Sequence, residues 1–563
     1  MAAAGYRTGL ECRAMAGETV GTARGATVAG NGGTPAPTVR EATFDVLRTL
    51  GLTRIFSNPG STEVSFLAGL PDDLEFVLGL HEGSVVGMAT GYALGRGAPA
   101  FALLHTTAGL GNAVSALATA RVNRAPLVVM VGQQDRRQLA QEPFLAGRLH
   151  GLAGEYPVSV DQPVRAQDVP GALVRAYHAA ATALGPALVI VPMDDWHAPA
   201  PEAHEVVGPE RLLRAGAAAP EAVEELAAWL DDARSPALVV GAGADTREGW
   251  DALVALAEHL SCPVFTEAFG ARAGFPQDHP LFAGHLSPGR ARLREMLAAH
   301  DAILAVGAPI FRQYAYEPGP LVNPGTRLAL VTDDDAEAQR SPSQLTIVAA
   351  PSAVCRGLVQ RTAPREGPPP GPFPKPVPLE PPAPGEALRA GHVFDALAAR
   401  LPADAILVEE SPSSRPELHA RVPARVPMGF LSAAMGGLGF ALPGTIGVRM
   451  ALPDRPVVAV LGDGSSLYAI QALWSAARYR VGALFVVMAN GRYAIMDKLA
   501  ANTGKPAPWP AFDTIDIAAM ARAQGCEAIR IEDHGDLLAR LDEVLPGLAR
   551  RDSPLVLEIA VAP

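Results

Sequence analysis

RPVVAVLGDGSSLYAIQALWSAARYRVGALFVVMANGRY, residues 455–493, holds two apolar strands separated by one helical pattern. The first strand, PVVAVL, ends at Gly462-Asp463-Gly464-Ser465, and the second, LFVVM, ends at Ala489-Asn490-Gly491. The spacing between them predicts a single helix, so the two strands are expected to be parallel neighbours in a helix-covered sheet. The apolar residues of that helix are Leu467, Ile470, Leu473, Trp474 and Ala477.

The polar ends of both strands are predicted to form a ligand site, because open α/β sheets bind ligands at the carboxyl ends of their strands. Glycines there let backbone approach a ligand closely, and a helix that starts there directs free N–H groups at a phosphate. Asp463 and Asn490 supply two hard oxygen ligands suited to Mg²⁺, with phosphate oxygens as its other ligands. A glycine-flanked aspartate alone is more often a tight turn, so the prediction depends on the pair.

The rest of the chain repeats this alternation of short apolar runs and helical patterns from about Val39 onward. Eleven of the twenty-one residues from Pro364 to Pro384 are proline, which predicts an extended, semi-rigid tether. The predicted fold class is therefore α/β, with three doubly wound parallel-sheet domains. In the first of them the predicted strands are FVLGL (76–80), AFALL (100–104), LVVMV (127–131) and ALVIV (187–191). The predicted ranges are 1–38 for a disordered extension, 39–200, 208–363 and 386–563 for the domains, and 364–385 for the linker.

Composition excludes several classes of function. The 563 residues carry a formal net charge of −12, whereas a nucleic-acid or anionic-membrane partner calls for a basic face. No apolar run reaches membrane-spanning length, and the four cysteines lie too far apart to predict a disulfide framework or a zinc site. Residues 1–38 lack the apolar core of a secretory signal, so a cytoplasmic protein is expected. Initiation at Met15 would also explain those residues.

These motifs resemble the thiamine-diphosphate-dependent enzymes, in which GDG is followed along the chain by an asparagine pair, here reduced to Ala489-Asn490. The resemblance extends from about residue 40 to the end, except for the proline tether. It implies pyrimidine-binding, central and diphosphate-binding domains. Four segments of the first domain resemble the decarboxylases of the family, above all the benzoylformate decarboxylases: FSNPGSTEVSFL (56–67), GLHEGSVVGMATGYAL (79–94), LLHTTAGLGNAVSALATA (103–120) and VGQQDRR (131–137).

The resemblance implies roles for three residues of the first domain. Glu82 matches the glutamate that hydrogen-bonds the pyrimidine ring of the cofactor. Ser61 matches the serine that meets the substrate carboxylate, and His105 matches the histidine that protonates intermediates. Each also has a structural explanation, since a carboxylate suits a helix N-terminus, serine caps helices, and a histidine at a strand end is often structural.

The third domain is expected to hold the diphosphate and Mg²⁺. Asp463, Asn490 and the backbone carbonyl of Arg492 match the metal ligands of the family. Leu438, in SAAMGGLGFALPGTIG (432–447), matches the apolar residue that props the cofactor into its bent form. Further cofactor contacts are expected from Ser413, Gly437, Gly464, Ser465, Tyr493 and Ile495, together with Glu82 of the first domain.

Two departures from the family pattern concern the substrate side. In GAPIFRQYAYEPG (307–319), Tyr314 stands where the family carries a second catalytic histidine. A phenol can donate a hydrogen bond but is a poor proton relay near neutral pH. After Asn490, Ile495 and Leu499 replace small and aromatic residues, so a phenyl-shaped pocket does not follow from the sequence.

The resemblance implies non-oxidative decarboxylation of a benzoylformate-like 2-oxo acid to an aldehyde and carbon dioxide, with carboligation to 2-hydroxy ketones as a further activity. An acetolactate-synthase-like carboligase is one alternative, although those enzymes usually lack a histidine at the position of His105. A non-catalytic paralogue is another, but Glu82 and Asp463 are both kept. A homodimer or homotetramer, with active sites between subunits, is expected from the family and is compatible with symmetric assembly.

Overall fold

The computed structural model describes residues 36–366, 370–371 and 373–563, and it contains three six-stranded parallel sheets. The extension predicted for residues 1–38 lies almost wholly outside the described residues. Thr38, at its end, caps the first helix by accepting a hydrogen bond from the Glu41 N–H. The α/β class with three parallel sheets, predicted from the strand and helix alternation, is confirmed.

The first sheet has the strand order β2-β1-β3-β4-β6-β5, with every neighbouring pair parallel. Its central strands are buried on both faces, as helix-covered parallel sheets require. The strands are β1 Arg54–Ser57, β2 Glu75–Leu78, β3 Ala100–His105, β4 Leu127–Gln133, β5 Ser159–Asp161 and β6 Pro186–Pro192. The helices are α1 Val39–Thr49, α2 Val64–Leu67, α3 Glu82–Arg96, α4 Thr106–Val122 and α5 Val169–Ala183.

The middle sheet has the order β12-β11-β10-β7-β8-β9. Gly241 to Asp245, the short glycine run after β7, forms a tight turn packed against Gly307. The strands are β7 Pro236–Val240, β8 Val264–Thr266, β9 Phe282–His285, β10 Ala302–Val306, β11 Arg327–Thr332 and β12 Leu345–Val348. The helices are α6 Pro220–Asp231, α7 Arg247–His259, α8 Arg290–Met296, α9 Asp335–Arg340 and α10 Pro351–Val359.

The third sheet has the order β14-β13-β15-β16-β18-β17, which repeats the strand arrangement of the first sheet. The strands are β13 Ile406–Glu410, β14 Phe430–Ser432, β15 Val457–Gly462, β16 Leu484–Ala489, β17 Glu527–Ile531 and β18 Leu555–Ala560. The helices are α11 Ala390–Arg400, α12 Arg415–Arg421, α13 Ala441–Ala451, α14 Asp463–Ser466, α15 Ala472–Arg478, α16 Ala494–Ala501, α17 Ile517–Ala523 and α18 His534–Val544.

The single helix predicted between β15 and β16 is wrong, because the structure has two short helices, α14 and α15, separated by a turn. The Ser466 hydroxyl donates to the Asp463 carbonyl at 2.6 Å. Serine side chains that bond nearby backbone in this way compete with helix hydrogen bonds.

Helices α3 and α13 join the first and third sheets by direct backbone contact. A Cβ atom placed on Gly91 would lie 2.1 Å from the Gly444 carbonyl oxygen, and one on Gly447 would lie 1.9 Å from the Met88 carbonyl oxygen. Only glycine permits this approach. The two helices precede the equivalent strands β3 and β15, so the contact fixes two similar sheets face to face within one chain.

In the described part of the tether, no residue lies in a helix or strand. The tether is nevertheless anchored to the third sheet's helices, since the Leu379 N–H donates to Asp395 and Arg421 donates to the Val377 carbonyl. Among the described residues, no helix combines the length and apolar character that a membrane crossing needs.

Candidate active site

Glu82 begins α3 at the carboxyl edge of the first sheet and is 7 % exposed. Two amides hold its carboxylate: Asn58 Nδ2 donates to Oε1 and Asn112 Nδ2 donates to Oε2, both at 3.0 Å. The position at the helix N-terminus also favours negative charge. A buried carboxylate held by two amides and a helix dipole is fixed in orientation, as a proton partner for a ligand must be.

His105 ends β3 and lies beside both Glu82 and the Asn58–Ser61 loop. A Cβ atom on Gly60 would collide with the His105 ring at 2.4 Å, so the ring lies directly over that glycine. A Cβ atom on Gly109 would lie 3.5 Å from both Glu82 Cγ and His105 Cβ. The two glycines therefore bring the imidazole, the carboxylate and the loop together in one small space.

Ser61 is exposed and immediately follows Gly60. The sequence left open that Ser61 caps a helix, but the helix that follows begins at Val64, and its N-terminal position is Glu63 without a side-chain capping bond. The Ser61 hydroxyl is therefore available at the same edge as His105. Three first-domain residues singled out from the sequence thus lie at one site.

At the third sheet, Ser413, Asp463 and Asn490 follow the neighbouring strands β13, β15 and β16. Asp463 Oδ2 accepts the Gly491 N–H and Oδ1 accepts the Gly464 N–H, each at 2.7 Å. These bonds join the ends of β15 and β16. Asn490 Oδ1 accepts the Arg492 N–H at 3.1 Å, so the Asn490–Arg492 turn lies against Asp463.

The electrostatics of Asp463 favour a cation. Burial raises the pKa of Asp463, because desolvation penalises its charged form. No lysine, arginine or histidine among the described residues acts as a charged partner for this carboxylate. Among the described residues, no group of three His, Cys, Asp or Glu side chains has an arrangement that could hold a metal ion. The donor set fits Mg²⁺ held by two side chains and a carbonyl, with ligand phosphate oxygens completing the shell.

Aromatic rings form one wall beside this cation site. A Cβ atom on Gly464 would lie 3.1 Å from the rings of both Tyr493 and Phe512, which contact each other at 4.9 Å between centroids. Ser465 is buried within α14, and Ile495 is half-buried on α16. Of the expected contact residues, Gly464, Ser465 and Tyr493 therefore lie beside Asp463, and Ile495 follows two residues after Tyr493 on α16.

Leu438 lies on the turn before α13 and lines a cavity of about 320 Å³. The opposite wall contains Gly83 at the start of α3 and Asn112, the amide partner of Glu82. Gly437, next to Leu438, lies close to the side chains of Ser115 and Thr119 on α4. Within one chain, the Glu82 end of α3 and the Leu438 turn therefore border the same cavity.

Glu410 holds the Leu438 turn in place, and sequence reasoning did not identify it. Its carboxylate accepts the N–H groups of Gly439, Phe440 and Ala441 at 2.7 to 2.8 Å. Burial raises the pKa of Glu410 to about 7. The only available signal was a second glutamate at the end of a strand, which is common in surface turns.

Tyr314 is 69 % exposed on the loop that follows β10. The loop is directed toward the third sheet, since Arg312 Nη1 donates to the carbonyls of Phe269 at 3.1 Å and Ala434 at 3.4 Å. Among the described residues of one chain, no hydrogen bond joins the Tyr314 side chain to Ser61, Glu82 or His105. The Tyr314 ring lies 6.4 Å from the Phe269 ring between centroids, and the Tyr314 N–H donates to the Pro288 carbonyl, so these contacts are with the middle domain.

Comparison with known proteins gives three family matches in chain order. Residues 37–151 match the thiamine pyrophosphate enzyme N-terminal TPP binding domain, residues 223–358 the central domain, and residues 417–559 the C-terminal TPP binding domain. A benzoylformate decarboxylase of Pseudomonas aeruginosa is 38% identical over 93% of this chain and 98% of its own.

A solved structure, the thiamine diphosphate-dependent 4-hydroxybenzoylformate decarboxylase of Rhodococcus jostii, superposes with a TM-score of 0.87 at 36% identity. The superposition covers 93% of this chain and 99% of the Rhodococcus jostii chain. A Mycobacterium tuberculosis protein named as an acetolactate synthase large subunit is 28% identical over 85% of this chain and 89% of its own. The similarity to the decarboxylases is therefore greater than that to this synthase.

Proposed function

Since the chain belongs to the thiamine pyrophosphate enzymes and is a 2-oxo acid decarboxylase of that family, we propose that its substrate is an aryl 2-oxo acid. The products of the proposed reaction are the aryl aldehyde and carbon dioxide. The observation that carries the proposal is the convergence of Ser61, Glu82 and His105 around Gly60 and Gly109. The similarity to the benzoylformate and 4-hydroxybenzoylformate decarboxylases supports the aryl class.

In the proposed mechanism, the third sheet holds the diphosphate end of the cofactor. Asp463, Asn490 and the Arg492 carbonyl would hold Mg²⁺, whose positive charge would offset the burial of the Asp463 carboxylate. Leu438 borders the cavity that would receive the organic part, and Gly437 precedes it on the same turn, close to Ser115 and Thr119 of the cavity wall. When bound, thiamine diphosphate supplies a nucleophilic carbon and an electron sink for the decarboxylation.

The first sheet holds the proton-transfer groups. Glu82, held in position by Asn58 and Asn112, is the proton partner at the edge of the pyrimidine site. The exposed Ser61 hydroxyl donates a hydrogen bond to the substrate carboxylate. His105 exchanges a proton with the reacting carbon or oxygen, a task for which imidazole is suited near neutral pH.

Carboligation of the product with a second aldehyde is a side activity of the same site in this proposal. The half-buried apolar residues Ile495 and Leu499 on α16 follow the Asn490 turn and supply an apolar surface for a substrate side chain. We further propose that the chain forms a homodimer or homotetramer in which the first sheet of one subunit faces the third sheet of another. Light scattering at several protein concentrations tests that assembly.

Release of carbon dioxide from a panel of aryl and alkyl 2-oxo acids, with thiamine diphosphate and Mg²⁺ present, tests the proposed activity. Aryl 2-oxo acids are expected to give the highest kcat/KM. If no 2-oxo acid released carbon dioxide, or if alkyl acids were preferred throughout, the proposed substrate class would be wrong.

Asp463→Ala tests the metal site in the same assay and by calorimetric titration of the cofactor. We expect loss of Mg²⁺-dependent cofactor binding, because Mg²⁺ loses its one charged protein ligand. The matched control is Asp454→Ala, which removes an exposed aspartate before β15, at the opposite end of the same strand. Unchanged cofactor affinity in Asp463→Ala would place the metal elsewhere.

A further inference from the structure

We propose that Glu63 is a positioning residue that fixes the orientation and tautomer of His105. The inference rests on the proposed function, since it concerns the proton-transfer histidine of the same site. Glu63 lies two residues after Ser61 and is 1 % exposed. Its Oε2 atom lies 2.9 Å from His105 Nδ1. No role was predicted for it from the sequence, where it reads as an ordinary first-turn carboxylate.

The Glu63 carboxylate is held from several sides. The Gly60 N–H donates to Oε2 at 2.8 Å, and the Thr62 hydroxyl donates to Oε1. Among the described residues, the only ion pair of Glu63 is the one with His105. A buried carboxylate of this kind would be costly without such partners. The cationic partner available to Glu63 is therefore the His105 side chain in its imidazolium form.

Gly132 on β4 closes the remaining side. A Cβ atom at that position would lie 1.7 Å from Glu63 Oε1 and 2.5 Å from the Thr62 hydroxyl oxygen. The glycine is therefore needed for the carboxylate to occupy this place beside His105.

This geometry determines which nitrogen of His105 carries the proton. The ionised Glu63 carboxylate only accepts hydrogen bonds, so the Nδ1 atom beside it must be the donor. Thr62 Oγ1, 3.0 Å from Nδ1, already gives its proton to Glu63 and can act toward the ring only as an acceptor. Nε2 is then the atom free to give or take a proton at the substrate. The other titratable group beside the ring is Glu82, across Gly109.

The carboxylate also stabilises the protonated ring, because an opposite charge in contact favours the charged form. Glu63→Gln keeps the shape but removes that charge and leaves an amide that can turn either its oxygen or its NH₂ group to Nδ1. We expect kcat to fall at least about tenfold, with a smaller change in KM. The limb of the pH–rate profile that reports His105 should move to lower pH.

Three further variants make the test specific. Glu75→Gln removes an exposed carboxylate of β2 and should leave both kcat and the pH profile unchanged. Gly132→Ala displaces the Glu63 carboxylate without removing it and should shift the pH limb in the same direction as Glu63→Gln. In a His105→Ala background, Glu63→Gln should add nothing, because the two residues act as one unit.

The outcomes distinguish the inference from the proposed function. Wild-type kcat and pH profile in Glu63→Gln, together with an impaired His105→Ala, would overturn the inference and leave the proposed function intact. A fully active His105→Ala would remove His105 from the proposed function itself. The tautomer can also be read without altering Glu63, from ¹⁵N-histidine spectra of the wild type, with His105→Asn for assignment. A neutral ring protonated at Nε2 would contradict the inference.

Discussion

At the scale of single residues, Tyr314 and Tyr316 offer a direct comparison, since both are exposed tyrosines on the loop after β10. Arg312, two residues before Tyr314, is bonded to the Ala434 turn of the third sheet, whereas the guanidinium of Arg290 lies over the Tyr316 ring. The segment that carries Tyr314 therefore contacts the third domain through Arg312, whereas the Tyr316 ring contacts Arg290 of α8.

Tyr314→His is expected to shift the products toward aldehyde and away from 2-hydroxy ketone. An imidazole exchanges protons near neutral pH and a phenol does so poorly, so protonation of the product should compete better with capture by a second aldehyde. The aldehyde-to-ketone ratio is measured by chromatography in the presence of excess aldehyde. It should rise by a factor of at most about ten. Tyr316→His is the control and should keep the wild-type ratio. An unchanged ratio in both variants would place Tyr314 outside the proton path.

The residues that carry chemistry differ in how far the sequence indicated them. Ser61, Glu82 and His105 each stand in a local motif, so a resemblance was enough to single them out. Asn112, by contrast, holds Glu82 across 30 positions of chain, and Glu410 holds the Leu438 turn across a similar separation. Neither has a local signature, because each bond exists only once the sheets have formed. Such partners can be found only from the fold.

At the scale of elements, α3 and α13 are the closest-packed helix pair described above, with Gly91 placed against the Gly444 carbonyl. Gly91→Ala is expected to lower the free energy of unfolding by about 1 to 3 kcal/mol, because the new methyl group must push backbone aside. The thermal unfolding midpoint measures this effect. Gly111→Ala, on α4 with no atom within 4 Å of the added Cβ, is the control. That change should be neutral or slightly stabilising, since alanine favours helix over glycine. Equal thermal unfolding midpoints for Gly91→Ala and Gly111→Ala would contradict the close approach of α3 to α13.

The sequence predicted elements well where apolar runs were long and poorly where they were short. Strands β3, β4 and β6 of the first sheet have six or seven residues and were predicted, and the four-residue β2 was predicted within the apolar run FVLGL (76–80). The buried β1 has four residues and the half-buried edge strand β5 has three, too few for a period to be read. The break between α14 and α15 depends on one serine hydroxyl, which periodicity does not register.

At the scale of the whole molecule, a histidine pair lies between the middle and third sheets. The rings of His285, on β9, and His419, on α12, stack at 4.0 Å between centroids. Gln277 donates to His285 Nε2 at 3.2 Å and accepts the Ala424 N–H, so polar bonds cross the same boundary. Burial lowers the pKa of His285 to about 4 and lowers the pKa of His419 well below its usual value, to which the nearby Arg415 guanidinium also contributes.

Stability is therefore expected to fall as the pH is lowered from about 6.5 to 4. In that range the unfolded chain binds protons at both imidazoles and the folded chain does not, so acid favours unfolding. For His285 alone the loss amounts to roughly 3 kcal/mol. Urea unfolding at pH 7 and pH 4.5 measures it. His285→Phe should lose less stability between the two values, whereas His204→Phe, at an exposed histidine, should behave as the wild type. Identical pH dependence in all three proteins would show that this pair does not titrate on unfolding.

The backbone contact between α3 and α13 also limits how this sequence can diversify. Positions 91 and 447 each face a backbone carbonyl of the opposite helix, so a side chain gained at either position requires the two helices to move apart. No substitution of the facing residue removes its carbonyl, and both positions are therefore expected to remain glycine. A library built to alter substrate preference would do better to leave them fixed. Its randomised codons belong on α16, where Ile495 and Leu499 are only half-buried.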